Sequence, residues 1–167
     1  MLALPRSGPI LFGCLLFVAI ITYSLPLSSP IFIRRQLEME SLSQPFTIKI
    51  NGKPVAPVDP KADNVVQAQL GSEAATFELK NGRLVSGDWI LGRNLTEDRS
   101  MAPKKVSWFK DGTEPATRLH PVTAFEEGGE HKLKFGGGSL IAEDGGVFVD
   151  LFGGEEAVAA LQLQFKE

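Results

Sequence analysis

Short stretches of alternating apolar and polar residues recur along the chain from residue 45 onward. In one of them, Phe46, Ile48 and Ile50 are separated by Thr47 and Lys49. A period of two places successive side chains on opposite faces of a strand, so each stretch predicts a half-buried β-strand. Helical periodicity never lasts more than two turns in this region. The pattern predicts an all-β domain of about ten short strands, as a β-barrel, a β-trefoil-like fold or a β-sandwich.

Two Asn-Gly dipeptides, at 51–52 and 81–82, separate such stretches. Asn-Gly is the strongest short hairpin signal, because a type I′ turn needs a positive φ at both central residues. A two-residue turn at 81–82 pairs Leu79 with Leu84, and the two leucines are expected to share a buried face. Pro54 lies in the return strand of the first hairpin, which indicates a strand at a sheet edge.

Residues 133–144 repeat the apolar and glycine pattern of residues 77–88 at an offset of 56. The repeat predicts another hairpin around the three glycines at 136–138. Either the chain is pseudo-symmetric or hairpins simply resemble one another, and the unequal spacing of the copies favours the second interpretation. Residues 147–152 are apolar on both faces apart from Asp150, as in a central strand. The alternation at 161–165 predicts a half-exposed final strand.

The N-terminal region differs from this pattern. Arg6 precedes an apolar run at 10–23 that has the length of a signal-peptide core. We therefore expect a signal peptide or signal anchor, with a hydrophobic helix, over residues 1–24. A linker or pro-segment is expected over 25–44, followed by the all-β domain over 45–167.

Three residues of the N-terminal region are candidates for processing. Ser24 is a small residue of the kind found before a signal-peptidase cut, and Arg34-Arg35 is a dibasic pair. An uncleaved anchor is the alternative, since residues 10–33 are long enough to span a bilayer. More arginines follow that segment than precede it, so an anchor would leave the body in the cytoplasm. Pro26 interrupts the segment, which favours secretion.

Asn94-Leu95-Thr96 is an N-glycosylation sequon. It is used only when the body enters the secretory lumen, so it predicts a glycoprotein modified at Asn94 in the secreted case.

Charge and cysteine content exclude several classes of function. Residues 36–167 carry all 20 acidic residues against 14 Lys and Arg, a net charge of −6. Such an acidic body lacks the basic face that nucleic acid requires and has no electrostatic attraction to anionic lipid. Cys14 is the sole cysteine, which excludes a disulfide framework, a cysteine-ligated metal and a cysteine nucleophile in the body. No cofactor or metal is predicted.

Catalytic motifs are missing from the sequence, and the chain is predicted not to be an enzyme. His120 and His131 have no partner at metal-ligand or triad spacing, so loop or surface positions are expected for both. A carboxylate-based hydrolase is one alternative, because acidic residues recur in turns near the C-terminus. Solvated turn residues are the more ordinary interpretation of this set: Glu126, Glu127, Glu130, Glu143 and Asp144.

Aromatic and basic residues suggest a ligand-facing surface. Trp89 and Trp108 are candidates for an aromatic platform under a sugar ring, and Lys104 and Lys105 form a small basic patch nearby. Aromatic residues in alternating strands more commonly belong to the core, and lysines in a loop are usually solvated.

Several segments together give the chain a family resemblance: the signal-like N-terminus, Pro45 to Lys49, Phe77 to Leu84, Leu91-Gly92-Arg93 and the Glu-Asp-Gly-Gly turn at 143–146. It resembles uncharacterised small secreted or cell-surface β-proteins of filamentous fungi over most of residues 45–165. Related wall-associated fungal proteins often carry cysteines, and this chain departs from them there. The resemblance implies an extracellular or cell-surface protein and carries over no catalytic residue.

The sequence thus favours a secreted, non-catalytic β-domain with a binding, structural or interaction role at the cell surface or cell wall. A wall polysaccharide or a surface protein is the expected partner. A membrane-anchored β-domain with a single pass and a hydrolase are the alternatives.

Overall fold

The computed structural model describes residues 37–153 and 161–165, and for residues 161 and 162 it describes the backbone alone. Within these ranges the chain forms a 3-10 turn at Pro115–Thr117 and thirteen strands: β1 (Phe46–Ile50), β2 (Lys53–Pro54), β3 (Val65–Gln67), β4 (Glu78–Lys80), β5 (Arg83–Ser86), β6 (Trp89–Gly92), β7 (Lys104–Lys105), β8 (Ser107–Lys110), β9 (Val122–Glu127), β10 (Glu130–Phe135), β11 (Ser139–Glu143), β12 (Gly146–Asp150) and β13 (Leu161–Phe165). The all-β prediction is confirmed.

The described strands form four antiparallel sheets. Their strand orders are β13-β1-β2, β10-β9, β11-β12-β7 and β3-β8-β6-β5-β4. These sheets do not close into a barrel over the described ranges. β2 lies at a sheet edge and β12 is the central strand of its sheet, as the sequence predicts, and β13 is an edge strand.

Both Asn-Gly dipeptides form the expected turns. Asn81 and Gly82 have φ of 50° and 73°, and Asn51 and Gly52 have φ of 52° and 78°. The second hairpin also has the predicted register, with Leu79 opposite Leu84. Both leucines are fully buried, so the local turn chemistry sets which face of this hairpin enters the core.

The prediction of a hairpin around residues 136–138 is right for the turn and wrong for the pairing of the two strands that flank it. Phe135 and Gly138 form only an isolated bridge, after which β10 pairs with β9 and β11 pairs with β12. The glycines make a tight turn, but each flanking strand has a longer partner on its other side. Gly138 also lies against β12, where an added Cβ would clash with Val149 Cγ1. Long-range pairing therefore separates two strands that the local pattern joins.

All four sheets contribute to the larger hydrophobic cluster. The ring of Trp108 stacks on Phe77 with centroids 5.5 Å apart, and Phe46 lies 6.3 Å from Phe77. Other members of the cluster have no exposed surface. They come from strands of all four sheets, apart from Val55, which lies in a connection: Ile48, Ile50, Val55, Leu79, Leu84, Leu91, Phe135, Leu140, Val147 and Val149. Burial of this apolar surface is the main stabilising contribution in a body without disulfides.

Residues 37–44, assigned to the linker by sequence, attach to the sheets through backbone hydrogen bonds. Met39 and Ala124 exchange two of them, at 2.6 and 2.8 Å, and Leu42 N donates to Leu79 O at 3.0 Å. The predicted N-terminal helix and the processing candidates Ser24, Arg34 and Arg35 lie outside the described residues. Among the residues that are described, no helix has the length and hydropathy to cross a membrane.

Candidate functional site

A cleft with a volume of about 520 Å³ lies where three connections meet, and we call it the turn cleft. The β1–β2 hairpin contributes Asn51 and Lys53, the segment after β3 contributes Leu70 and Ser72, and the β11–β12 connection contributes Gly145. Small-molecule sites usually have volumes of about 300–1,000 Å³. The turn cleft is therefore large enough for a ligand of one or two sugar units.

The lining of the turn cleft combines apolar and polar groups. Leu70 and Ala142 are partly buried and give the cleft an apolar floor, beneath which Ile50 is fully buried. Asn51 and Ser72 are exposed and supply an amide and a hydroxyl. Such a site can place a few hydrogen bonds and the exposed Lys53 ammonium around an apolar contact, which suits a polar ligand without a positive charge.

A second cleft, of about 410 Å³, lies beside the glycosylation sequon, and we call it the sequon cleft. Asn94, Thr96 and Ser107 contribute polar groups to it, and Val65 and Phe148 contribute apolar ones. The chain passes from β7 to β8 at this point, leaving one sheet for another. The cleft thus occupies the gap where two sheets diverge.

Lys104 fixes the loop that borders the sequon cleft. Its ammonium donates to Asp98 O at 3.0 Å, Asp98 Oδ1 at 2.8 Å, Ser100 O at 2.8 Å and Ser100 Oγ at 3.1 Å. The side chain is only 6% exposed. Hydrogen bonds from Lys104 and Ser100 hold the pKa of Asp98 well below its ordinary value of 3.8. This loop is therefore organised around one buried cation.

Arg93 is a second buried cation next to that loop. Its Nε lies 3.2 Å from Glu97 Oε1, and its side chain is 5% exposed. The angle of this contact is not that of a hydrogen bond, and Nε and Nη1 have no hydrogen-bond partner among the described residues. Burial raises the pKa of Glu97, an effect that Arg93 and Lys104 partly offset. Burial and then Arg93 lower the pKa of His120, whose backbone N–H donates to Arg93 O at 2.9 Å.

The structure separates the four candidates for a ligand-facing surface. Trp108 is 2% exposed and Trp89 is 7% exposed, so both belong to the core and neither offers an open ring face. Lys104 and Lys105 both line the sequon cleft, but Lys104 directs its ammonium into the 98–100 loop. Lys105 is the exposed one of the pair. The basic patch is therefore one structural lysine and one surface lysine.

The carboxylates of the hydrolase alternative occupy two different hairpins. Three lie at the β9–β10 tip and two at the β11–β12 tip, and all five are exposed. A third cleft, of about 340 Å³, lies between the start of β10 and β13 and contains Glu130 and His131. None of these three clefts, all lined by described residues, contains two of the five carboxylates. Across the described ranges, no group of three or more His, Cys, Asp or Glu is placed to hold a metal ion.

Sequence reasoning missed Arg93, Glu97 and Asp98. For Arg93 and Glu97, the only signal in the sequence is their separation of four residues. That spacing on its own indicates neighbours on a helix rather than a contact within a loop. Asp98 and Lys104 carry no such signal, because their contact depends on how the loop folds back. The turn cleft was also missed, since its walls come from three segments distant in sequence.

No protein-family model, no curated protein and no solved structure matches the chain.

Proposed function

We propose that the chain is a secreted, non-catalytic β-domain that binds a neutral polysaccharide of the cell surface or cell wall at the turn cleft. The observation that carries the proposal is the cleft itself. Its apolar floor of Leu70 and Ala142 and its rim of Asn51 and Ser72 match the two kinds of surface that a sugar presents, C–H faces and hydroxyls.

The charge of the body supports a neutral ligand over a charged one. Residues 36–167 carry a net charge of −6, so an anionic polymer would be repelled over the molecule as a whole. Connections on a β-scaffold are also where binding residues concentrate, because the sheets hold them in fixed positions. The turn cleft is built from three such connections.

Secretion rests on the N-terminal sequence and the sequon. Asn94, Leu95 and Thr96 lie on a loop in which Asn94 is partly buried and Leu95 and Thr96 are exposed, so the sequon lies at the surface of the folded domain. The likeness to secreted or cell-surface fungal β-proteins points the same way and stays part of this proposal.

Binding at the turn cleft is tested with matched turn variants. Asn51→Gly keeps the type I′ turn, since glycine adopts a positive φ, and removes the amide from the cleft. Loss of one hydrogen bond is expected to weaken binding about 3- to 10-fold. Asn81→Gly makes the same change in the other Asn-Gly turn, away from the cleft, and should leave the affinity unchanged. Calorimetry with soluble β-glucan, chitin and mannan oligosaccharides measures both.

Absence of binding to every oligosaccharide, or equal weakening in both variants, contradicts the proposal.

Secretion is tested separately by the intact mass of the protein recovered from medium and from membranes. A species in the medium that begins near Leu25 or Gln36 supports secretion. A full-length species found only in membranes supports the anchored alternative instead.

A further inference from the structure

We propose that the first sugar of an N-linked glycan on Asn94 occupies the sequon cleft and covers its apolar wall. The inference rests on the proposed secretion, because the sequon is used only in the secretory lumen. It assigns to this cleft an occupant that is covalently part of the protein, rather than a free ligand.

The backbone and side chain of Asn94 are held in place. Leu95 N donates to Arg118 O at 2.8 Å, and Asn94 forms a β-bridge with Leu119. Asn94 Oδ1 accepts a hydrogen bond from Thr96 N at 2.8 Å. This hydrogen bond orients the side-chain amide and leaves its nitrogen, the atom that carries a glycan, outside the contact.

The residue that carries the glycan also forms part of the cleft wall. Asn94 and Thr96 themselves line the sequon cleft, so a sugar joined to Asn94 starts at its wall. The volume of about 410 Å³ lies in the usual range for small-molecule sites, about 300–1,000 Å³. A single N-acetylhexosamine therefore has room there without any rearrangement of the sheets.

The walls of the cleft match the chemistry of that sugar. Val65 is 42% exposed, Phe148 and Pro103 are partly buried, and all three line the cleft. A pyranose ring has C–H groups on its faces that can cover such a surface. Ser107 and Lys105 add polar groups that can meet the hydroxyl and N-acetyl groups.

Attachment requires only the donor that the secretory lumen supplies, a lipid pyrophosphate-linked oligosaccharide. Asn94 Nδ2 forms a bond to C1 of the first sugar, the C1–O bond to the lipid pyrophosphate breaks, and Nδ2 loses one proton. The sugar then contacts β3, through Val65, and β12, through Phe148, as well as the loop that carries it. These contacts exist only in the folded chain, so the glycan should stabilise the fold.

The full chain secreted from yeast tests the proposal by comparing three forms. These are the fully glycosylated protein, the protein trimmed by endoglycosidase H to one sugar, and the sugar-free Thr96→Ala variant, which retains Asn94. We expect the one-sugar form to keep the melting temperature of the full glycoprotein. The sugar-free form should melt about 2–6 °C lower, a shift of the size that modest packing produces in such a domain.

A relocated glycan is the matched control. Lys61→Asn with Asp63→Thr creates a sequon at another exposed loop, and combining these changes with Asn94→Gln moves the glycan there. That glycan should give no gain in melting temperature.

Val65→Ser should reduce the gain from the Asn94 glycan, while changing the melting temperature of the sugar-free protein little. Nuclear Overhauser contacts between the first sugar and the Phe148 ring are a direct readout that does not depend on stability.

The outcomes separate this inference from the proposed function. A secreted protein with Asn94 unmodified overturns the inference and leaves secretion standing. A modified Asn94 with no gain in melting temperature and no sugar–Phe148 contact also overturns it. Retention of an unglycosylated chain in the cell overturns both. Retained stability with one sugar, together with the Phe148 contact, supports it.

Discussion

Arg93 shows how a single buried charge changes its surroundings. Its guanidinium is close to His120, since a Cβ added at Gly136 would contact both side chains, 2.8 Å from His120 Cβ and 3.0 Å from Arg93 Nη2. Burial disfavours a charged imidazole there, and a second positive charge beside Arg93 is also unfavourable, so the folded state prefers neutral His120. His120 lies in a connection, as expected, and is partly buried. The histidine is thus a proton-sensitive position in the fold.

Stability should fall in mildly acidic solution because of His120. Its pKa is lowered from the ordinary 6.5, so its contribution is fully present above pH 6.5 and is lost as the pH falls through the lowered value. His120→Gln should reduce the drop in melting temperature between pH 7.5 and pH 5. His131→Gln is the matched control and should leave that drop in place. Equal effects of the two variants would contradict the assignment to His120.

At the scale of elements, the loop from Arg93 to Lys104 is organised by side-chain contacts rather than by a strand ladder. Lys104 satisfies the carbonyls of Asp98 and Ser100, which lie in a stretch without regular structure. Few contacts hold this loop in place, so its stability depends on each of them.

Removing the Lys104 ammonium should therefore loosen this loop. Lys104→Met keeps much of the side-chain volume and leaves the carbonyls of Asp98 and Ser100 without the donor that Lys104 supplies. We expect the free energy of unfolding to fall by about 1–3 kcal/mol. Lys105→Met, at the exposed neighbouring position, should change it by less than about 0.5 kcal/mol. Urea denaturation of both variants measures the difference, and similar losses in the two would argue against a special role for Lys104.

Local chemistry in the sequence predicts one class of element well. The Asn81-Gly82 turn and the Leu79–Leu84 register follow from φ preferences and a period of two, both of which act over neighbouring residues. The same pattern fails at 136–138, because the partners of β10 and β11 are chosen by sheets formed elsewhere. The clefts depend on such long-range choices as well. Asn94 and Lys105 line the sequon cleft, whereas the two tryptophans proposed beside them lie in the core.

At the scale of the whole molecule, the first and the last of the described strands pair in one sheet. β1 lies between β2 and β13, with Ile48 opposite Leu163. Phe46 also packs on Phe165, with ring centroids 5.8 Å apart. β13 therefore covers one edge of β1, the first described strand.

A charge on the inner face of β13 should disrupt the packing of this strand against the core. Leu163 packs against the core, so Leu163→Asp places an unpaired carboxylate there. We expect a loss of about 2–4 kcal/mol in the free energy of unfolding. Gln164→Asp, on the exposed neighbouring position, should cost less than about 0.5 kcal/mol. Comparable losses in both variants, measured by chemical denaturation, would contradict the pairing of β13 with the core.

The pairing of β1 with β13 also has a consequence for the order of events during synthesis. A ribosome releases β1 more than a hundred residues before β13. Until the final strand emerges, one edge of β1 has no partner, and the domain cannot complete its fold. If the chain is secreted, as proposed, Asn94 enters the lumen well within that interval. An oligosaccharide would then be added to an unfinished domain, and the sequon cleft would form around a sugar already in place.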